Sequence, residues 1–187
     1  ETGIRQLNFY LKYFVLVREL LKESFNEIPD YLDEIIFYLG KSYSTFSDLK
    51  QSLLFNGNHQ NDLAEFNRYL SHHKYKFESN NKEAGGYAIL KNKNHILAMD
   101  IGSSPPKKFS NNYQSGVLSF EFFYKGSKLI SNSGYFQEYN NKFNIISKST
   151  AAHSSLIVDD HSSCSFKRTD KYKICLLYTS PSPRDRS

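Results

Sequence analysis

The chain has 187 residues, of which 39% are hydrophobic and 23% charged, so it is long enough to bury a core and is not a disordered tail. The formal charge of +5 comes from basic residues scattered along the chain, which excludes the clustered basic patch typical of nucleic-acid-binding proteins. Charged side chains interrupt residues 4–25, so no apolar run reaches the roughly 20 residues of a membrane helix. We therefore expect no nucleic-acid partner and no membrane span.

The first forty residues predict two amphipathic helices. Apolar residues recur at steps of three and four over residues 4–25, and the breadth of this apolar face predicts a helix packed between neighbours. Pro29 and Asp30 suit the first turn of a second helix, which we expect Gly40 to end. Because only about five residues join the two helices, they should form an antiparallel pair.

The pattern changes along the rest of the chain from helical spacing to short apolar runs. A brief extended piece closed by a turn is expected over residues 48–57, and a third, shorter helix over residues 63–70. The runs beyond Tyr75 predict strands at 87–90, 95–101, 116–124, 128–130, 143–146 and 154–158. Helices followed by strands, without alternation, predict the α+β class with two separate domains, and the strands fit a β-sandwich.

The last thirteen residues, 175–187, differ in composition from everything before them. Pro, Ser and Arg replace the Lys and Asn that are abundant upstream, and the codons that would encode residues 175–185 resemble a transposase adaptor used in sequencing libraries. We therefore predict an adaptor artefact and exclude the segment from the fold, the alternative being a natural Pro/Ser-rich linker. Without it Cys164 is the one remaining cysteine, expected to be a lone thiol in a Ser-rich turn.

Two segments in the second half carry a recognisable pattern. Residues 114–122 read Gln-Ser-Gly-Val-Leu-Ser-Phe-Glu-Phe and lead to the turn Lys125-Gly126 and then to Asn132-Ser133-Gly134. Residues 149–160 read Ser-Thr-Ala-Ala-His-Ser-Ser-Leu-Ile-Val-Asp-Asp. In order and spacing these segments resemble two motifs of the heparinase II/III-like family. Weaker matches at 55–57 and 86–102 extend the resemblance over most of residues 4–174.

The resemblance implies an (α/α) toroid followed by an antiparallel β-sandwich. Residues 1–80 would be the last helices of the toroid and residues 86–174 the first strands of the sandwich, both truncated, so the chain is expected to be an internal fragment. Active members of the family are polysaccharide lyases that cleave uronic-acid-containing glycans by β-elimination, in which a base removes the C5 proton and preorganised donors stabilise the enolate. The implied partner is an acidic polysaccharide or oligosaccharide, and the implied location is the periplasm or cell envelope.

Four residues are candidates for the site that the resemblance implies. Gln114 stands where the motif usually has a catalytic His; Gln takes up no proton but hydrogen-bonds a substrate carboxylate, so catalysis, substrate binding and a plain polar role at a strand edge stay open. Asn132 either binds substrate or serves a turn. His153 either acts on the substrate, or hydrogen-bonds across the site and orients neighbouring strands, or has both ring nitrogens satisfied by backbone. Tyr139 lies where active relatives carry a catalytic Tyr.

The same resemblance bears on metal binding. Gly116, Asn132 and His153 occupy the positions of the metal ligands in zinc-bearing relatives, but Gly offers no donor atom and Asn replaces a carboxylate. We therefore expect no zinc and no other cofactor. Two functions remain open. In the first, the chain is part of a polysaccharide lyase; whether that lyase is active stays open, and the isolated fragment is expected to be inactive. In the second, it belongs to a catalytically degenerate glycan-binding or cell-envelope protein of the same fold. An unrelated structural protein is a third reading, which the order of the motifs disfavours.

Overall fold

The computed structural model describes residues 4–47, 49, 51–57, 63–103, 113–134, 136, 138, 141–157, 159–168 and 174–179. Three helices come first, namely α1 (Ile4–Glu23), α2 (Asp30–Ser44) and α3 (Leu63–His72). Seven strands and a short helix follow: β1 (Glu83–Ala84), β2 (Tyr87–Lys91), β3 (His95–Asp100), β4 (Phe120–Tyr124), β5 (Ser127–Ile130), α4 (Phe143–Ile146), β6 (Cys164–Arg168) and β7 (Ile174–Thr179). The chain is α+β, as predicted. Among its described helices, none is long and apolar enough to cross a bilayer.

Helices α1 and α2 pack against each other as the predicted antiparallel pair. Leu11 and Val15 of α1 are fully buried, and Ile36 of α2 is nearly so. Near the connection Arg18 donates to the carboxylate of Asp33. The expectation that α1 lies between neighbours is wrong for the described chain, because its second apolar face remains exposed at Phe9, Tyr10, Tyr13, Leu16, Val17 and Leu20.

Gly40 does not end α2, which continues to Ser44. A Cβ built on Gly40 would lie 2.1 Å from the ring of Phe77, so the glycine lets this ring pack directly on the helix backbone. Glycine serves equally well to end a helix or to admit a close neighbour, and spacing alone does not distinguish the two. The predicted helix end was therefore wrong.

Strands β1 to β5 form one antiparallel sheet in sequential order. The two predicted hairpins are confirmed: β2 pairs with β3, and β4 turns into β5 through Lys125 and Gly126, both with positive φ. On the inner face Ile89 lies opposite Ala98, which in turn lies opposite Glu121, and all three side chains are buried. The sheet thus presents charged side chains to the interior, namely Asp100, Glu121 and their neighbour Lys128.

The predicted strands over residues 143–146 and 154–158 are wrong in their described residues, with residue 158 lying outside those, and the strand predicted over residues 116–124 is confirmed only over residues 120–124. Residues 143–146 form α4, whose first turn begins where Asn141 Oδ1 accepts a hydrogen bond from the Phe143 amide at 3.0 Å. Residues 154–157 are irregular, since the hydroxyl groups of Ser154 and Ser155 donate to carbonyls of other segments. Residues 116–119 form a turn before β4, in which Leu118 has a φ of 56°.

The helices and the five-stranded sheet share one hydrophobic core. Tyr87 of β2 stacks on Phe55 at a centroid distance of 5.3 Å and meets Phe46 edge-on at 6.2 Å. Asn56, in the predicted turn with a φ of 45°, donates from Nδ2 to Asp100 Oδ2 at 2.7 Å. The segment after α2 therefore joins helices to sheet, while the division into domains at residues 80–86 stays a prediction.

Strands β6 and β7 form a separate two-stranded sheet. Cys164 opens β6 and is a buried free thiol whose pKa is raised by burial. Cys164 pairs in register with Thr179 and Cys175 with Lys167, so the two cysteines lie on different rungs. Strand β7 crosses the limit predicted at residue 174, and the adaptor origin of residues 175–187 stays a prediction.

Candidate functional site

Three of the four predicted site residues, Gln114, Asn132 and His153, lie where three segments meet: residues 113–119, residues 131–134 and residues 147–155. Backbone hydrogen bonds hold these segments in place. The Ser115 amide donates to the Lys148 carbonyl at 2.9 Å, and the Phe120 amide donates to the Ser154 carbonyl at 3.1 Å. The site is therefore built from irregular segments that are fixed by the start of β4.

Gln114 is buried, with 3% of its surface exposed. Its Nε2 donates to the Gly134 carbonyl at 2.7 Å, and Gly134 has a left-handed φ of 73° that suits glycine. Because β4 begins at Phe120, Gln114 is not a strand-edge residue. The side-chain amide of Gln114 thus fixes the position of Gly134, at the end of residues 131–134. The catalytic and substrate-binding roles predicted for Gln114 stay predictions.

Asn132 is buried beside Glu121, a strand carboxylate with no exposed surface. Glu121 Oε1 accepts hydrogen bonds from the Asn132 amide at 3.1 Å and from Asn132 Nδ2 at 3.2 Å. Asn132 Oδ1 accepts from the Ser154 amide at 3.1 Å. An Asp here could not donate to Glu121 and would oppose its charge, which explains physically why this chain tolerates Asn. Asn132 thus connects the end of β5 to the segment that carries His153.

His153 follows the 3-10 turn Thr150–Ala152. Its ring is largely buried, and Nε2 is a buried atom with no hydrogen-bond partner among the described residues. Burial lowers the pKa of His153, and a hydrogen bond with the Ser147 backbone opposes this in part. The imidazole is therefore neutral at pH 7. In the tautomer that has its proton on Nδ1, Nε2 carries the lone pair and accepts a proton or a hydrogen bond.

Gly116 lies against His153. A Cβ built on Gly116 would lie 3.4 Å from His153 Cγ and 3.1 Å from Ser119 Oγ. The three positions that align with zinc ligands are thus neighbours, since Asn132 bonds the Ser154 amide next to His153. Their donor set does not fit zinc: Gly116 has no donor atom and both ends of the Asn132 amide are engaged. Absence of a metal stays a prediction.

The sequence-based site is incomplete in two respects. Tyr139 lies outside the described residues. The buried ion pair of Glu121 and Lys128 was missed: Lys128 Nζ lies 2.6 Å from Glu121 Oε2 and donates to the Ser52 carbonyl at 2.6 Å. Glu121 also accepts from the Leu54 amide at 3.0 Å. The signal in the sequence was the spacing of Glu121 and Phe123, which are two residues apart in β4. Side chains two residues apart in a strand lie on the same face, so Glu121 shares the face of the buried Phe123.

Comparison with known proteins now decides the family. The family model for the heparinase II/III-like C-terminal region matches residues 76–178, more than half of the chain. The chain belongs to the heparinase II/III-like family. The match contains all the segments that build the site around His153, so the resemblance read from residues 114–160 is confirmed.

A solved structure, that of heparinase III, shares the fold of this family member. The two superpose with a TM-score of 0.66 at 13% sequence identity, over 89% of this chain and 33% of the other. The chain therefore has the fold of helices from a toroid followed by strands of a β-sandwich, and it spans about a third of the heparinase III chain. A search of curated proteins found no match.

Proposed function

We propose that this heparinase II/III-like chain is part of a polysaccharide lyase that acts by β-elimination on uronic-acid-containing glycans. The family and the fold support a lyase-type relationship. The observation that carries the proposal is His153 Nε2, a buried atom beside Gly116 that has no hydrogen-bond partner among the described residues. Acidic polysaccharides do not cross membranes freely, so the proposed location is the periplasm or cell envelope.

The chemistry proposed for His153 follows from its protonation state. β-Elimination requires a group that accepts the C5 proton while neighbouring donors stabilise the charge developing on the uronate carboxylate. A neutral imidazole with its lone pair on Nε2 is such an acceptor near pH 7. A buried acceptor without a partner costs roughly 1–3 kcal/mol, so a ligand that completes its hydrogen bonding offsets that cost.

A second function is favoured by Gln114. Its carboxamide takes up no proton, and its Nε2 is engaged by the Gly134 carbonyl, so this position supplies no base. A catalytically degenerate glycan-binding protein of the same fold would keep this arrangement and bind without cleaving. Both a lyase and a degenerate glycan-binding protein would bind the glycan, but only the lyase would cleave it.

The test uses the protein encoded by the reading frame that contains this chain. It is incubated with heparin, heparan sulfate and alginate, and the ultraviolet absorbance of the unsaturated product is followed. We expect turnover that the His153→Gln variant loses by about 100-fold or more, as for removal of a general acid or base. His72→Gln, an exposed histidine at the end of α3, is the matched control.

The outcomes separate the two functions. Turnover that survives in His153→Gln overturns the role of His153. Binding of a uronate glycan without product across the whole panel overturns the lyase and supports the degenerate glycan-binding protein. Loss of turnover in both histidine variants would point to general destabilisation, which thermal unfolding of each variant measures directly.

A further inference from the structure

A second concave surface lies on the helical side of the molecule, between α1, α2 and residues 73–78. We propose that this surface, the α1–α2 groove, binds an anionic oligosaccharide. Its volume is about 380 Å³, within the range of small-ligand sites, and none of its lining residues belongs to the site around His153. The groove is thus a separate binding site on the same chain.

Positive charge exceeds negative charge along the α1–α2 groove. Five Lys and Arg side chains line it against three carboxylates. Lys41, Lys74 and Lys76 are exposed, and none of them forms an ion pair within the described part of the chain. Their ammonium groups are therefore available to an anionic ligand, and their position around one cavity focuses the positive potential there.

The base of the groove is preorganised by its own hydrogen bonds. Arg18 binds Asp33 and also lies 3.3 Å from Glu19 Oε1, and the Tyr75 hydroxyl donates to Glu19 Oε1 at 2.9 Å. Burial raises the pKa of Tyr75 to about 12, so it stays a donor. Burial opposes ionisation of Glu19, yet Tyr75, Lys22 and Arg18 together lower its pKa. Because Arg18, Glu19 and Asp33 satisfy one another, Lys41, Lys74 and Lys76 are left for the ligand.

Aromatic rings and carboxylates in the groove favour a sugar. Phe37 is 57% exposed, and the rings of Tyr75 and Phe77 are stacked with centroids 6.0 Å apart. Exposed ring faces pack against the apolar C–H face of a pyranose, and the Glu78 carboxylate accepts hydrogen bonds from hydroxyl groups. A ligand that combines anionic groups, hydroxyls and an apolar face is an acidic sugar.

The ligand class connects the groove to the lyase. The identity of the ligand as a uronate glycan rests on the proposed function. The requirement for an anionic ligand rests only on the charges of the groove. An acidic polysaccharide has many repeats, so a second site on the same chain raises the local concentration of substrate near the first. The groove is therefore expected to act on affinity for long chains and to leave the chemistry at His153 unchanged.

The experiment measures binding of an alginate tetrasaccharide to the 187-residue chain by isothermal titration, with the neutral cellotetraose as a probe of equal length. The variant Lys41→Glu/Lys76→Glu reverses two charges in the groove. Lys82→Glu/Lys93→Glu makes the same change in net charge at two exposed lysines outside it. We expect the groove variant to bind the alginate tetrasaccharide at least about tenfold more weakly and the control to change less than about threefold, since charge-assisted hydrogen bonds are lost only in the groove.

A third variant tests the aromatic contribution. Phe37→Ala is expected to weaken binding of the alginate tetrasaccharide by about fivefold or more and to leave binding of inorganic sulfate unchanged, because sulfate has no apolar face. Equal losses in the groove variant and the net-charge control would overturn the site. Cellotetraose binding as tightly as the alginate tetrasaccharide would also overturn it, as would tighter binding of a single-stranded oligonucleotide.

The same variants are also made in the protein encoded by the reading frame that contains this chain, and their turnover there keeps this proposal distinct from the lyase. Weaker binding in Lys41→Glu/Lys76→Glu, with no product from any protein, supports the groove and contradicts the lyase. Product formation that is unaffected on short and long alginate chains, together with unchanged binding, contradicts the groove and supports the lyase. Circular dichroism of each variant confirms that it is folded.

Discussion

The hydrogen bonds of each side chain distinguish the residues of the site. Asn132 uses Nδ2 and Oδ1 to join Glu121 to the Ser154 amide, and Gln114 uses Nε2 to hold Gly134. His153 differs because its Nε2 has no partner within the described chain. At this scale the site contains two side chains that position backbone and one that is ready to accept a proton or hydrogen bond.

The Asn132→Asp variant should be less stable at pH 7. The carboxylate would face Glu121 Oε1, where Asn132 Nδ2 now lies 3.2 Å away as a donor. Loss of that hydrogen bond and the like charge should lower the free energy of unfolding by about 1–3 kcal/mol. Urea unfolding of the wild type and the variant at pH 7 measures this difference in the free energy of unfolding. An unchanged midpoint at pH 7 would contradict the bonding described for Asn132.

His153 should make stability depend on pH. Its pKa is lowered in the folded state, chiefly by burial, so below the ordinary value of 6.5 the unfolded chain binds more protons than the folded one. Stability should therefore fall as the pH decreases from 6.5 toward the folded pKa, with a slope of up to about 1.4 kcal/mol per pH unit from this group. Thermal unfolding of the wild type and His153→Gln between pH 5 and 8 compares the slopes. Parallel profiles would show that the ring is not buried and neutral.

Secondary-structure elements are positioned by a few close contacts. Helix α2 passes through Gly40 because Phe77 lies on the helix backbone at that point, and α4 forms where a strand was expected because Asn141 accepts from its first turn. Both segments have apolar residues that suit either outcome. The contacts that decide between the outcomes come from Phe77, which is distant from Gly40 in sequence, and from the polar side chain of Asn141.

Gly40→Ala should destabilise the protein although alanine favours helices. The added Cβ would meet the Phe77 ring at 2.1 Å, and such overpacking costs about 1–3 kcal/mol. The double variant Gly40→Ala/Phe77→Ala should be less destabilised than the sum of the single variants, because the clash is removed. Chemical unfolding of the four proteins forms the cycle. A neutral or stabilising Gly40→Ala would show that Phe77 does not pack on α2.

The whole molecule combines a shared core with a large exposed apolar face. Buried polar contacts join the segment after α2 to the sheet, through Ser52, Leu54, Glu121 and Lys128. The hydrophobic core runs continuously between the helices and the sheet. Meanwhile Phe9, Tyr13, Leu20 and their neighbours leave one side of α1 open. Exposed patches of this kind bind other apolar surfaces.

The exposed face of α1 should make the isolated chain associate. Phe9→Lys/Val17→Lys changes two side chains that are 56% and 45% exposed, so it should reduce binding of an apolar dye and concentration-dependent association while leaving the unfolding midpoint nearly unchanged. Sedimentation and dye fluorescence measure this, with Lys82→Glu/Lys93→Glu as the control. A monomeric, cooperatively melting wild type without dye binding would contradict it.

Periodicity and motif order were enough to predict the three helices, both hairpins, the α+β class and the family. These features depend on local spacing and on residues that are near in sequence, such as the turn at Lys125 and Gly126. Gln114, Asn132 and His153 were proposed as site residues from the sequence, since the motifs that contain them are contiguous, and their functional roles stay predictions. The sequence did not show what their side chains bind.

Only the tertiary structure decided the partners of those side chains. It placed Glu121 against Lys128, Leu54 and Asn132, set Gly116 against His153, and brought α1, α2 and residues 73–78 around one groove. The physical reason is that burial and hydrogen bonding depend on atoms that are tens of residues apart in the chain. Local spacing predicts most of the elements, whereas tertiary packing decides the ambiguous segments and determines which polar groups have partners.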